Sequence, residues 1–176
     1  MHPPRLQEIA AEIDHLEATG ADPARLAAGI TGLLHATLAR TRPPGLRVRE
    51  KALAYVVRDG RLLVFTHPDH PLAGLQVPAG GIEDGEPPAE AALREVREET
   101  GVEGRVVASL GVFEYDMRPY RDEVQRCHVF HVEPEGSVPE RWRGGEDGIA
   151  FECFWIPVRD GHVLAGGQGS LLGRLP

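Results

Sequence analysis

The residues best placed to do chemistry are three glutamates on one short stretch. From Gly80 to Val102 the chain reads GGIEDGEPPAEAALREVREETGV. At about 100° per residue, Glu95, Glu98 and Glu99 fall within roughly one 100° sector of a helix. Leu93, Val96, Ala92 and Ala89 occupy the neighbouring sector, so this helix is expected to bury one side and present its carboxylates at the edge of the core. Carboxylates this close repel one another, more strongly where water is partly excluded. Of the nearby cations, Arg94 is expected to neutralise one partner and Arg97 to point to the far side. A hard divalent ion bound through oxygen, Mg2+ or Mn2+, would relieve the repulsion. Ala79, Gly80 and Gly81 precede the helix; the glycines let the backbone turn sharply, so that a carbonyl there can join the coordination while amides face phosphate oxygens. The alternative is a solvated acidic face with no ligand.

The same segment matches G-x5-E-x7-R-E-U-x-E-E-x-G-U, with U apolar, at every fixed position: Gly80, Glu86, Arg94, Glu95, Val96, Glu98, Glu99, Gly101 and Val102. That pattern is the Nudix box, and the chain resembles the Nudix hydrolase family from Val48 to about Val158, but not over its first 45 residues. The resemblance implies a Nudix-like α/β/α sandwich with a mixed sheet. It also implies hydrolysis of a nucleoside diphosphate linked to another group, such as a dinucleoside polyphosphate or a nucleotide sugar, by water attacking phosphorus. On the same ground Glu95, Glu98, Glu99 and the Ala79 carbonyl are expected to bind the Mg2+ (or Mn2+) cofactor, with Gly80, Glu86 and Arg94 as orienting residues. Phosphoryl chemistry fits such a site, because it needs charge neutralisation and an in-line water more than covalent help.

One carboxylate must take the proton of the attacking water. It belongs either to the box glutamates or to one of two later residues. Glu146 follows Gly144-Gly145 in an expected loop, and Glu152 alternates with Phe151 and Cys153 in an expected strand. For substrate binding, Arg118, Tyr120 and Arg121 combine phosphate-pairing guanidinium groups with an aromatic ring. A tyrosine near position 120 resembles the dinucleoside polyphosphate group of the family, whereas Pro119 is displaced from the proline that marks the ADP-ribose group. Aromatic residues are only 6% of the chain, so the rings available as a base platform are few: Tyr115, Tyr120, Phe113 and Trp142.

The elements that must hold these residues are read from periodicity. Leu6, Ile9, Ala10, Ile13 and Leu16, then Leu26, Ile30, Leu33, Leu34 and Leu38, recur at helical spacing on either side of Gly20. Residues 1-45 are therefore expected to form a helical hairpin and linker, appended to a domain over 46-176. A helical pair this small cannot fold alone, and a homodimer is one way to cover its apolar stripe. Beyond the linker the period changes to two. Ala52 to Val57 and Leu62 to Phe65 flank Asp59-Gly60, a hairpin signal. Further strands are expected at Val106 to Phe113, Val124 to Val132 and Ile149 to Ile156, with a turn at Asp160-Gly161. One helix, Pro88 to Thr100, interrupts them between prolines and Gly101. His128 and His131, three apart in a strand, point to opposite faces. His67 and His70 fall in a loop.

Composition bounds the remaining classes. The 176 residues carry 27 acidic against 19 basic side chains, a net charge of −8, which disfavours binding a nucleic-acid polymer through its phosphates. The longest uncharged helical run, Leu26 to Ala39, is short of the roughly 18 to 20 apolar residues a bilayer requires, so no membrane span is expected. No secretory signal is recognisable from Met1 to Ala10, and a cytoplasmic location is the expectation. Cys127 and Cys153 sit in apolar runs as reduced, buried thiols. Two other functions remain open: a catalytically silent nucleotide-sensing module with the N-terminal helices as output or dimer element, and an isomerase or transferase of isoprenoid type on the same fold.

Overall fold

The computed structural model describes residues 45–117, 121–146 and 148–176. The expected helical hairpin and Arg118, Pro119 and Tyr120 lie outside the described residues. The run Ala52-Leu53-Ala54-Tyr55-Val56 is apolar on both sides of a strand, the mark of a central position. Strand β1 (Arg47–Arg58) takes it, and all five of those side chains are buried. β2 (Arg61–Thr66) follows through a two-residue turn in which Asp59 and Gly60 both have positive φ, 52° and 69°. These are the angles that the right-handed twist of a hairpin asks for, and the register Val57 to Leu62 and Arg58 to Arg61 confirms the expected turn.

The remaining elements are β3 (Ala79–Gly81), α1 (Pro88–Thr100), β4 (Gly104–Asp116), β5 (Glu123–Pro134), β6 (Arg141–Glu146) and β7 (Ile149–Pro157). The sheet runs β4-β5-β1-β2-β7-β6, with β3 also on β1. β1 and β5 are parallel over ten pairs, Arg47 with Glu123 to Val56 with Val132, while the other pairings are antiparallel, so the sheet is mixed as expected. β2 and β3 share one edge of β1: β2 pairs at its end, Val57 and Arg58, and β3 further back, at Lys51 to Leu53. That arrangement sets β3 beside the second half of α1, where Arg94, Glu95 and Glu99 meet it.

Alternation sends Ala52, Ala54 and Val56 to one face, against Ala91, Ala92 and Val96 of α1. Leu53 and Tyr55 go to the other face, with Leu62, Val64 and Val129. There the cover comes from the C-terminal segment, whose 3₁₀ turns Val158–Val163, Ala165–Gly167 and Leu172–Arg174 bring Leu164, Leu171, Leu172 and Leu175 into the core. The Tyr55 hydroxyl pins this segment by donating to the Gln168 carbonyl and accepting the Leu171 N–H. Cys127 and Cys153 are free and buried, and burial pushes both thiols up to about 11. Among the described residues no helix is long and apolar enough to cross a membrane.

Three features depart from the sequence expectation. Residues 79–81 pair as a strand although two of the three are glycine. Gly144 and Gly145 lie not in a loop but in β6, opposite Phe151 and Ala150, and Glu146 opposes Ile149. Asp160 and Gly161 belong to a 3₁₀ segment rather than a simple turn.

Candidate active site

The phase of α1 is fixed at both ends. Pro88 stands at its first position, where no N–H is needed, and Gly101 closes it in the left-handed region (φ 71°), donating its N–H to Arg97 O at 2.8 Å. With that phase the buried stripe is Ala91, Ala92, Glu95, Val96, Glu99 and Thr100. Two of the three glutamates therefore lie within the buried face and not at its edge, Glu95 at 4% exposure and Glu99 at 8%. Glu98 alone sits at the rim, its side chain 39% exposed.

Buried carboxylates need donors. The backbone N–H of Ala79, in β3, donates to Glu99 Oε2 at 2.9 Å. One residue on, a Cβ at Gly80 would stand 2.0–2.1 Å from the Glu95 carboxylate, so only glycine leaves that group its place. The C-terminal end of the helix is held as closely: a Cβ at Gly144 would meet Glu99 O at 2.3 Å, and Trp142 Nε1 donates to Thr100 O at 2.7 Å.

Arg94 does more than the sequence suggested, bonding three carboxylates where one was expected. Its Nε and Nη2 grip Glu86 at 2.8 and 3.0 Å, its Nη1 donates to Glu95 Oε1 and Glu98 Oε2 at 2.8 Å each, and Nη2 also reaches Gly81 O at 2.8 Å. The planar fork permits this, since one guanidinium offers five donors. Arg94 holds the Glu86 carboxyl down at about 2, and the carboxylates push Arg94 further up. Arg97 faces away as expected and pairs with Glu103 at 2.8 Å.

Among the described residues no three His, Cys, Asp or Glu side chains converge on one point as metal ligands. Glu95 and Glu98 are turned to Arg94, and Glu99 to Ala79. The donor set itself suits a hard cation: it is all oxygen, anionic, and mounted on a helix whose register cannot slip.

On the opposite face of the sheet a cavity of about 220 Å³ opens, lined among others by Lys51, Gln76, Phe113, Tyr115, Gln125 and Gln168. Ala79 also lines it. One residue thus touches the carboxylate cluster through its N–H and the cavity on the other side. Phe113 and Tyr115, two of the four rings expected to serve a base, are here; Trp142 instead belongs to the core under α1. The polar lining was not anticipated. Its trace in the sequence is that Lys51 and Gln125 are polar residues at the ends of alternations that are otherwise apolar on that face, Leu53 and Tyr55 in β1, Cys127 and Val129 in β5.

The outlying candidates fall as follows. Glu152 alternates in β7 with the core residues Phe151 and Cys153, so its side chain lies on the face away from α1, where it pairs with Arg141 at 3.3 Å. Glu146 continues the strand that touches the last turn of α1. Arg121 is exposed, but its N–H bonds to Met117 O at 3.2 Å, and Met117 lines the cavity. His128 lies on the α1 face, 2.8 Å from Glu50, and His131 is buried on the other. His67 lies in the loop after β2, as expected, and packs edge-on against Phe65 and Phe151.

Residues 48–171 match the NUDIX domain model. The chain is similar to diphosphoinositol polyphosphate phosphohydrolase 3-alpha of Mus musculus, 32% identical over 121 residues, covering 67% of this chain and 68% of that protein. It is also similar to RNA pyrophosphohydrolase of Cereibacter sphaeroides, 40% identical over 141 residues, covering 69% and 83%. Among solved structures, the MutT NUDIX hydrolase of Burkholderia pseudomallei superposes with a TM-score of 0.61 over 74% of this chain and 99% of that one, at 21% identity.

Proposed function

The chain belongs to the Nudix family as a pyrophosphohydrolase, and from that premise we propose that it cleaves the pyrophosphate bridge of a nucleoside diphosphate linked to another group, with a divalent metal. The observation that carries this reading is the double contact of Ala79, which bonds Glu99 and lines the cavity. A substrate seated in the cavity would have its phosphates led past β3 to the carboxylates of α1. The relatives act on diphosphoinositol polyphosphates and on RNA by their names. The aromatic lining of this cavity favours a nucleoside instead.

Glu95, Glu98 and Glu99, with the Ala79 carbonyl, would hold the metal. When bound, Mg2+ or Mn2+ neutralises charge on the bridging phosphates and lowers the pKa of a water. The chain's own part is to hold the oxygens in place. Arg94 fixes Glu95 and Glu98 from one side and ties them to Glu86 and Gly81, while Ala79 fixes Glu99. Glu146, two residues beyond Gly144 on the strand against α1, is the acid we assign to take the water's proton. Arg121, tied to Met117, is assigned with Arg118 and Tyr120 to the outer phosphates and leaving group. A panel of nucleotide sugars, dinucleoside polyphosphates, diphosphoinositol phosphates and triphosphorylated RNA, assayed with Mg2+, tests the proposal. Cleavage of the first two classes, abolished by EDTA, is expected. Metal-independent turnover, or turnover of the inositol or RNA substrates alone, would overturn it.

A further inference from the structure

The side chains lining the cavity differ in what they have left to offer a ligand. Gln168 accepts the Val77 N–H on its Oε1 at 2.8 Å. A backbone N–H can only donate, so the amide orientation is fixed and the free half of Gln168 is its NH2. Gln125 donates its Nε2 to Glu123 Oε1 at 3.3 Å, and a carboxylate can only accept, so the free half of Gln125 is its carbonyl oxygen. Gln76 donates to Ala73 O at 3.1 Å and also bonds His67, which leaves it largely committed. Lys51 is half-buried and forms no salt bridge among the described residues. A cationic donor beside an apolar floor of Leu53 and Cys127 stays costly until an acceptor meets it.

Beside the rings of Phe113 and Tyr115, the lining side chains with hydrogen-bonding capacity left over are therefore two donors, Lys51 and the Gln168 amide, and one amide acceptor, Gln125. Its volume of about 220 Å³ is below the roughly 300–1,000 Å³ that drug-sized ligands occupy, which leaves room for one ring system. We infer that this is a base-reading subsite for lactam-type nucleobases, those with a ring carbonyl beside a ring N–H, such as guanine, hypoxanthine and uracil. The carbonyl takes the donors, as lysine does with the O6 edge of guanine, and the ring N–H meets Gln125. Adenine and cytosine carry an amino group in place of that carbonyl and lack the ring N–H. In the same pose they would set donor against donor and acceptor against acceptor. Shifted so that the amino group meets Gln125, their ring nitrogen offers one lone pair to two donors and leaves one of them unmatched. A polyphosphorylated ring is disfavoured too, since Lys51 is the only cation among the described residues of the lining.

This inference rests on the proposed cleavage of nucleoside diphosphate derivatives, and two readouts keep them apart. Titration calorimetry of the full chain in Mg2+ buffer with GMP, UMP, AMP and CMP reads the subsite directly. The kcat/KM for GDP-, UDP-, ADP- and CDP-glucose reads the reaction. GMP and UMP should bind about 10-fold or more tightly than AMP and CMP, the scale of one matched base contact. Lys51→Met and Gln168→Glu should bring the four within about twofold; the second keeps the acceptor for Val77 N–H, and thermal melts verify that both variants fold. AMP or CMP binding as tightly as GMP and UMP, or selectivity that survives Lys51→Met, overturns the subsite. Absence of detectable binding by all four overturns it as well. Equal cleavage of all four sugars overturns base reading while leaving the hydrolase reading intact. Selective binding without cleavage of any sugar supports the subsite and overturns the proposed substrate class.

Discussion

Arg94 and Glu86 meet fork to fork, Nε to Oε1 at 2.8 Å and Nη2 to Oε2 at 3.0 Å, and so tie the loop before α1 to the helix that carries the carboxylates. The same guanidinium holds Glu95 and Glu98, so its geometry and not only its charge sets the site. Arg94→Lys keeps the charge but cannot span three partners. Each charge-assisted bond lost is worth about 1.5–3 kcal/mol, so kcat should fall by about 10-fold or more, with KM changed less. Steady-state kinetics on the best substrate read this, and wild-type kcat in the lysine variant would show that charge alone suffices.

The pair also predicts an acid response. Glu86 is held at about 2 against an ordinary value of 4.5. A carboxyl whose folded value is depressed adds stability that is present above its unfolded value and lost as pH falls through the folded one. Melting temperature should therefore decline between about pH 4.5 and 2, and Glu86→Gln should flatten part of that decline while lowering the melting temperature at pH 7. A variant with an unchanged acid limb would remove Glu86 from the linkage.

Glycine at 144 brings β6 against the end of α1. An added Cβ would stand 2.3 Å from Glu99 O and 3.1 Å from Thr100 Cα, both backbone atoms of α1 that cannot swing aside as a side chain would. Gly144→Ala should destabilise by about 1–3 kcal/mol, the cost of overpacking a filled core, measured by urea unfolding. Gly136→Ala, where φ is positive at 72° but nothing lies within 4 Å of an added Cβ, should cost less. Equal costs would mean that the close approach at 144 relaxes freely.

The contrast between these glycines shows where the sequence was legible. Asp59-Gly60 and the limits of α1 at Pro88 and Gly101 are local signals, and the structure repeats them residue for residue. The box glutamates were legible as a set, because helical phase alone groups them. Their depth was not, since β3 and β6 come up against Glu95 and Glu99 at glycines, Gly80 and Gly144, which carry no hydrophobic pattern to read. Residues 79–81 and 144–145 carry four glycines and no β-branched residue. They are strands because β1 and β7 offer an edge and because glycine lets the backbone come close. The cavity was invisible for a related reason: it gathers Lys51, Phe113, Gln125 and Gln168 from four separate parts of the chain.

Depth also separates two glutamates that the sequence made alike. Glu99 is buried and accepts the Ala79 N–H, whereas Glu98 is at the rim and shares Arg94 with Glu86 and Glu95. If both hold the metal, Glu98→Gln and Glu99→Gln should each lower kcat by about 100-fold or more, the scale of a lost electrostatic stabiliser. Only Glu99→Gln should also lower stability, by about 1–3 kcal/mol, because a neutral amide replaces the charged acceptor of a buried N–H. Glu98→Gln should leave the metal-free melting temperature near wild type, since Arg94 keeps its other partners. Its Mg2+-induced rise in melting temperature should nevertheless shrink. A Glu98→Gln variant that retains both full turnover and the full Mg2+ shift would remove Glu98 from the metal site and leave it as a surface partner of Arg94.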